Sequence, residues 1–236
     1  MSYPGVYLIG LTGNIACGKS TVVGLLRELG AHAIDADRVT HELQRPGETV
    51  YERIVAEFGA GILAEPGGPI DRRALGAIVF ADPAALRRLE QIVHPAVHAR
   101  ILSWLEEIRR QAALSSPTEE EKETRRQGDT GVDQLSLSRA TPVSLPRPVA
   151  VIDAIKLLES GWKPICDAIW VVTCAPEQQL ARLMQTRGMS EDEARARIAA
   201  QPPQAEKVAQ ATVAIDNSGS LESTRRQVAA AWSSLG

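Results

Sequence analysis

Eight residues constrain this chain more than any others: Gly13-Asn14-Ile15-Ala16-Cys17-Gly18-Lys19-Ser20 fits the pattern G-x-x-x-x-G-K-[ST]. The pattern has meaning only between a strand and a helix, and its flanks supply both. Val6-Tyr7-Leu8-Ile9-Gly10-Leu11 is a continuous β-prone run, as expected of a parallel strand buried on both faces. From Ser20 to Leu29 apolar residues recur at helical spacing, and Gly30 stands where a helix ends. In that setting the glycines let successive backbone N–H groups turn inward around an anion, and the positive end of the following helix faces the same point. Lys19 is then expected on the β and γ phosphates of a nucleotide, and the Ser20 hydroxyl on Mg²⁺. The stretch Gly13 through Thr21 is the candidate nucleotide site.

The rest of the chain alternates strands and helices. Ala31–Asp35, Val149–Asp153, Ala168–Thr173 and Val213–Asp216 read as further strands, and helical patterns lie between them. This predicts an α/β fold, a parallel sheet flanked by helices on both faces, with the site at the carboxyl ends of the strands. Residues 39–114 are almost wholly helical and suit an acceptor-binding insertion. Asp82 caps a helix opened by Pro83, with Leu86, Leu89 and Val93 on one face; His94-Pro95 is expected to interrupt it before a second helix carries Val97, Ile101, Leu105 and Ile108. Residues 115–148 are rich in charge, Gly, Ser and Pro and read as a flexible insert. Pro176 opens a helix through Arg182 and Arg187, and Ser190 with Glu193 forms a capping box for another, so 176–205 reads as a helical lid. Residues 1–38, 149–175 and 206–236 make up the nucleotide-binding core.

Composition excludes several functions. With 26 Lys and Arg against 29 Asp and Glu, the net charge of −3 does not suit nucleic-acid binding. No run approaches the roughly 20 apolar residues of a membrane span, and the start of the chain reads as a strand. Cys17, Cys166 and Cys174 have no CxxC spacing, which fits a reducing cytoplasm. The sequence offers Cys17 no resolving partner, so it reads as a small side chain that fits the loop.

The loop is shared by kinases, GTPases and motor ATPases. No N-K-x-D segment and no suitably placed D-x-x-G element is present, and the compact length with a helical insertion favours a small-molecule kinase. Asp35 and Asp37, two apart, fall on one side of an extended chain; either accepts a proton from an acceptor hydroxyl or helps hold Mg²⁺ through water, or Asp37 caps the next helix. Asp153 ends an apolar strand as a metal-side acid does. Asp216-Asn217-Ser218-Gly219 follows the last strand, as an adenine loop or a plain turn.

Taken in order, Gly10-Leu11-Thr12-Gly13, Ile34-Asp35-Ala36-Asp37, Ile70-Asp71-Arg72-Arg73-Ala74-Leu75 with Val79-Phe80, His94-Pro95, Leu157-Leu158-Glu159-Ser160-Gly161 and Ile215-Asp216-Asn217-Ser218-Gly219 resemble the dephospho-coenzyme A kinases. The resemblance spans nearly the whole chain outside the insert. It implies a P-loop kinase fold and transfer of phosphate from ATP to the ribose 3′-hydroxyl of dephospho-CoA, giving CoA and ADP. It implies Asp37 as base, Thr12 near the transferred phosphate, Arg182 neutralising its charge alongside Lys19, and Arg187, Asn217 and Gly219 at the nucleotide. Arg72 and His94 match family positions in the insertion, facing the acceptor, although His94 also suits a structural turn. The expected protein is a monomer or weak homo-oligomer. Two positions depart from the family: Asn14, commonly glycine there and expected to tolerate left-handed geometry, and Ile155-Lys156, where a proline is common. Lys156 reads either as a contact to an acceptor or a phosphate, or as cover for the sheet edge. Arg195 and Arg197 read as a solvated face.

Overall fold

The computed structural model describes residues 3–115, 145 and 147–235, so all but a few residues of the expected 115–148 insert lie outside the described residues. Five strands, β1 (Tyr7–Gly13), β2 (His32–Asp35), β3 (Val149–Asp153), β4 (Ala168–Thr173) and β5 (Val213–Asp216), form one sheet in the order β2-β3-β1-β4-β5. Every pairing is parallel. The first strand of the chain therefore lies at the centre, and its carboxyl end is flanked by those of β3 and β4.

Residue alternation divides the core between the two faces. Ile9 and Leu11 of β1, Val149 and Val151 of β3, and Ala168, Trp170 and Val172 of β4 face α1 (Lys19–Glu28) and the C-terminal helix Leu221–Ser233. Leu8, Ala150, Ile152, Ile169 and Val171 face the helical insertion. Gly10 shows how tight that second face is. A Cβ there would lie 2.6 Å from Leu157 Cδ2, so only glycine lets the β3–β4 connection close over the central strand.

The insertion consists of α2 (Ala36–Leu43), α3 (Thr49–Phe58), α4 (Arg72–Ala81) and α5 (Pro83–Ser115). Its apolar faces share one buried cluster with the sheet. The Asp82 carboxylate accepts from the Ala84 N–H at 2.8 Å, the cap read from the sequence. The expected break at His94-Pro95 is absent: α5 runs 33 residues through Pro95, about 50 Å by helical rise. Proline removes one backbone donor and disfavours helical geometry just before it. Here Pro95 and Gln91, whose carbonyl loses that donor, both lie exposed, so the missing bond falls on the side of the helix away from the core. The buried stripe Ile92, Val93, Val97, Ile101, Leu105 and Ile108 holds the helix on course. Tertiary burial outweighs a local preference.

Beyond β4, α6 (Pro176–Arg187) ends on left-handed Gly188, and α7 (Glu191–Ala199) opens on the Ser190–Glu193 capping box. α6 buries Gln179 and Leu183, Ala194 is the buried side chain of α7, and Arg195 pairs with Glu191 one turn away. The short helix α8 (Gln204–Val208) then leads into β5, and α9 is Leu221–Ser233. No helix among the described residues is long and apolar enough to cross a membrane.

Candidate active site

The loop after β1 is held from both sides. Gly13 cannot carry a side chain, since a Cβ would meet the Val172 carbonyl oxygen at 2.4 Å, and a Cβ on Gly18 would meet Asn217 Nδ2 at 2.0 Å. Among the described residues the non-glycine with positive φ is Ala16, at 58°, beside Gly18 at 86°. Left-handed residues in a phosphate loop turn successive N–H groups to one side and make an anion-binding nest. Asn14 does not take that geometry, contrary to the sequence expectation. It is buried, and its Nδ2 donates to the Pro202 carbonyl at 3.0 Å.

A ring of side chains fixes the loop. Gln179 Nε2 donates to Ile15 O at 2.7 Å, Ile15 N donates to Gln201 Oε1 at 2.7 Å, and Asn217 Nδ2 donates to Cys17 O at 2.8 Å. Thr224 completes Asn217 by donating to its Oδ1 at 2.9 Å. Arg182 lies against the loop, its guanidinium donating to Ala16 O at 3.3 Å and Asn217 O at 2.9 Å. The Asp216–Gly219 segment thus ties the loop down with Asn217 while Asp216 and Ser218 close a local turn.

Cys17 has the partner its sequence neighbourhood lacks. The Cys174 sulfur beside it, as a hydrogen-bond partner, and burial together push the Cys17 thiol up. Gln204 bridges the two, its Oε1 accepting from Cys17 Sγ at 3.3 Å and from Cys174 N at 3.2 Å.

Two cavities lie at this end of the sheet, one lined by Asp153 and the other by the next residue, Ala154. One, of about 610 Å³, is lined by Asn14, Ala16, Gly18, Lys19, Ser20, Thr21, Asp153, Arg182, Arg187, Asn217 and Gly219. It gathers expected nucleotide residues from the loop after β1, α1, α6 and the β5–α9 loop, far apart in sequence, whereas Gly13, Ile15 and Cys17 are not in its wall. The other, of about 490 Å³, lies towards the insertion, with Asp37, His94, His98, Lys156, Glu159, Gln201 and Lys207 in its wall. His98 stacks on buried Trp162 at 3.9 Å between ring centroids and reaches Ser160 O at 3.2 Å, which pins the β3–β4 connection to α5. Lys156 lines this cavity, one of the two places expected for it.

The two carboxylates of Asp35-Ala36-Asp37 part company. Asp35, not Asp37, is the N-cap: its carboxylate accepts from the Arg38 N–H at 2.9 Å, and Asp37 sits in the first turn of α2. The two are not on one side of an extended strand, because the helix begins between them. Arg72 is not brought to the acceptor cavity with Asp37 and His94. It lines a separate surface cleft with Arg38, His41 and Arg45. Thr12 is fully buried, and its hydroxyl donates to Ile155 O at 3.0 Å.

Asp153 is a half-buried acid under electrostatic load. Burial, then the charges of Asp35 and Asp37, raise its carboxyl to about 6, against the lowering effect of Lys19. Lys19 Nζ stands 3.9 Å from Asp153 Oδ1, outside hydrogen-bond reach, and that buried oxygen has no hydrogen-bond partner. A crowded, under-partnered carboxylate beside the Ser20 hydroxyl fits a divalent cation. No three His, Cys, Asp or Glu among the described residues converge as an all-protein metal cage, which suits an ion held mainly by phosphate and water.

Lys207, Gln179, Gln201 and Gln204 escape sequence reading. Lys207 sits in a short polar helix that looks solvated, yet the side chain is 5 % exposed. Only the packing of α8 against β4 reveals it.

The sequence profile of the dephospho-CoA kinase family matches residues 7–125 and 137–223. The chain belongs to the dephospho-CoA kinase family. It is 47% identical over 225 residues, 95% of its length and 80% of the relative's, to a dephospho-CoA kinase of Symbiobacterium thermophilum. It is 41% identical to that of Geobacter sulfurreducens, across 95% of this chain and 96% of the other. Among solved structures it resembles a Thermus thermophilus protein (TM-score 0.69, 30% identity, 97% of both chains) and a dephospho-CoA kinase from Campylobacter jejuni (TM-score 0.60, 25% identity, 98% and 97% covered).

Proposed function

We propose that this protein transfers the γ-phosphoryl of ATP to the ribose 3′-hydroxyl of dephospho-CoA, giving CoA and ADP, the last step of coenzyme A biosynthesis. The observation that carries the reading is Asp37 in the wall of a cavity adjoining the nucleotide loop, close enough for its charge to act on Asp153 in the nucleotide cavity.

In this reading the phosphate-loop N–H groups and Lys19 hold the β and γ phosphates. Asp37 takes the proton of the attacking hydroxyl; a P–O bond forms to that oxygen as the bond to the ADP oxygen breaks. Arg182, now on two carbonyls at the loop, swings the short distance to the equatorial oxygens and offsets their charge. Thr12 acts from beneath, through Ile155. Ser20 would hold Mg²⁺ directly and Asp153 through water. Bound there, the ion neutralises phosphate charge. Removal of divalent cations abolishes turnover in this scheme. His94 and Lys156 face the acceptor; Arg72, on its separate cleft, contacts only a portion extending across α2. The setting is the cytoplasm, and the enzyme works as a monomer or weak homo-oligomer.

An acceptor panel tests the proposal. Dephospho-CoA, a nucleoside monophosphate and a sugar are each incubated with ATP and Mg²⁺. Conversion of dephospho-CoA alone is expected; preference for another acceptor overturns the reading, and ATP binding without transfer to any acceptor identifies a regulator instead.

A further inference from the structure

Lys207 is a buried lysine whose charge has no counter-ion. Its side chain is 5 % exposed, and among the described residues no carboxylate lies within 4 Å of its Nζ. Its hydrogen bond is to Ile155 O, at 2.9 Å. An ammonium carries three donors, so two remain to be used. The same carbonyl accepts from Thr12 Oγ1 at 3.0 Å, which places the lysine head beside the residue that precedes Gly13 of the phosphate loop. Lys207 also lines the acceptor cavity with Asp37 and Lys156. The ammonium thus stands in the wall of the cavity that holds Asp37, near enough to Lys19 for the two charges to act on each other. Its surroundings agree: burial lowers its pKa, Lys19 adds to that, and Glu159 on the acceptor side opposes it.

Leaving an ammonium buried without an anion costs several kcal/mol, and removing it often stabilises a fold. A fold retains such a cost where an anion arrives. We infer that Lys207 supplies positive charge to the phosphoryl group as it passes from the nucleotide to the acceptor hydroxyl, opposite Lys19 and Arg182. The inference rests on the kinase reading above and adds a residue to it. Lys156 does not fill this role, because it is exposed and free to follow any acceptor. Thr12 has a place in the same device: its hydroxyl and Lys207 share one carbonyl, and that shared anchor fixes the ammonium in position.

Lys207→Met and Lys207→Arg separate this role from a structural one. With ATP and dephospho-CoA, the Met variant is expected to lose about 100-fold in kcat, the scale seen when one donor to a developing charge is removed. Its ATP dissociation constant should stay within threefold, and its ligand-free melting temperature should be unchanged or higher. The Arg variant should recover at least tenfold of the loss, since its charge is kept. A Met variant that turns over normally overturns the inference, and so does one that melts lower or fails to fold, because the lysine then serves the structure. Failure of the wild-type enzyme to phosphorylate dephospho-CoA is a different result. It overturns the kinase reading and this inference together.

Discussion

At the scale of single residues the active site is a problem of charge held out of water. Asp37 stands on the acceptor cavity and makes no capping bond of its own, because Asp35 caps α2. Asp37→Asn should therefore lower turnover by about 10²- to 10⁴-fold, the usual worth of a positioned base, while ATP affinity measured by titration stays near wild type. Asp153 behaves differently. Its carboxyl is raised to about 6 from an ordinary 3.8, so the folded state holds the proton more tightly than the unfolded chain. The contribution of this group to stability is then greatest at low pH and falls as pH rises through about 4 to 6. At neutral pH the ionised side chain destabilises the ligand-free fold, and Asp153→Asn should stabilise it by on the order of 1–3 kcal/mol. The same substitution should abolish most activity. Thermal melts and turnover measured on one preparation check both signs, and a variant that melts lower removes the argument.

At the scale of elements, α5 shows what a helix tolerates when one stripe is buried. Proline in a helix interior costs about 3 kcal/mol relative to alanine. Part of that is offset by the stiffer unfolded chain, so Pro95→Ala should stabilise the protein by about 1–2 kcal/mol. His94, the neighbouring residue, lines the acceptor cavity. If the proline sets the course of the helix there, the KM for the acceptor should rise two- to tenfold in Pro95→Ala with kcat little changed; an unaltered KM shows that burial alone directs His94. α6 and α7 differ in how they are held. α7 opens on its own capping box and buries Ala194, whereas α6 has no side-chain cap at its start and buries Gln179 and Leu183. The ties to the loop run through Gln179 and Arg182 of α6 and through Gln201 and Pro202 beyond α7.

At the scale of the whole molecule, five strands bring a loop at residues 13–20, an acid at 153 and an arginine at 182 to one end of a sheet. The helical insertion shares its core with one sheet face, so donor and acceptor cavities rest on a common frame. The profile of the dephospho-CoA kinase family passes over residues 126–136. Removing that stretch should leave turnover within about twofold and the melting temperature within a few degrees, because loop-closure entropy changes slowly with length. Large loss of either assigns this segment to the fold or to catalysis.

Much of this was legible before any coordinates. The phosphate loop, the five strands, the Asp82 and Ser190 caps and the division into sheet and helical block all follow from signals within a few residues, where apolar period, glycine and capping chemistry act. Several residues that line the cavity over the loop were legible for the same reason, since they lie at the end of a strand or on the helix after it. Tertiary structure alone decided the rest. Whether α5 breaks at Pro95 depends on what its other face buries. Arg72 and Asp37 carry similarly readable signals, yet the path of α2 and α4 turns Arg72 to a separate cleft. Cys17 and Cys174, 157 positions apart in sequence, meet because β1 and β4 are neighbours in register. Lys207 looks like any surface lysine until α8 folds over β4. The sequence alone determined the glycine-rich turn between β1 and α1, because strand, glycine and helix signals there all act within a few residues. Which charges surround that turn was decided by the sheet, which gathers distant chain ends at one edge.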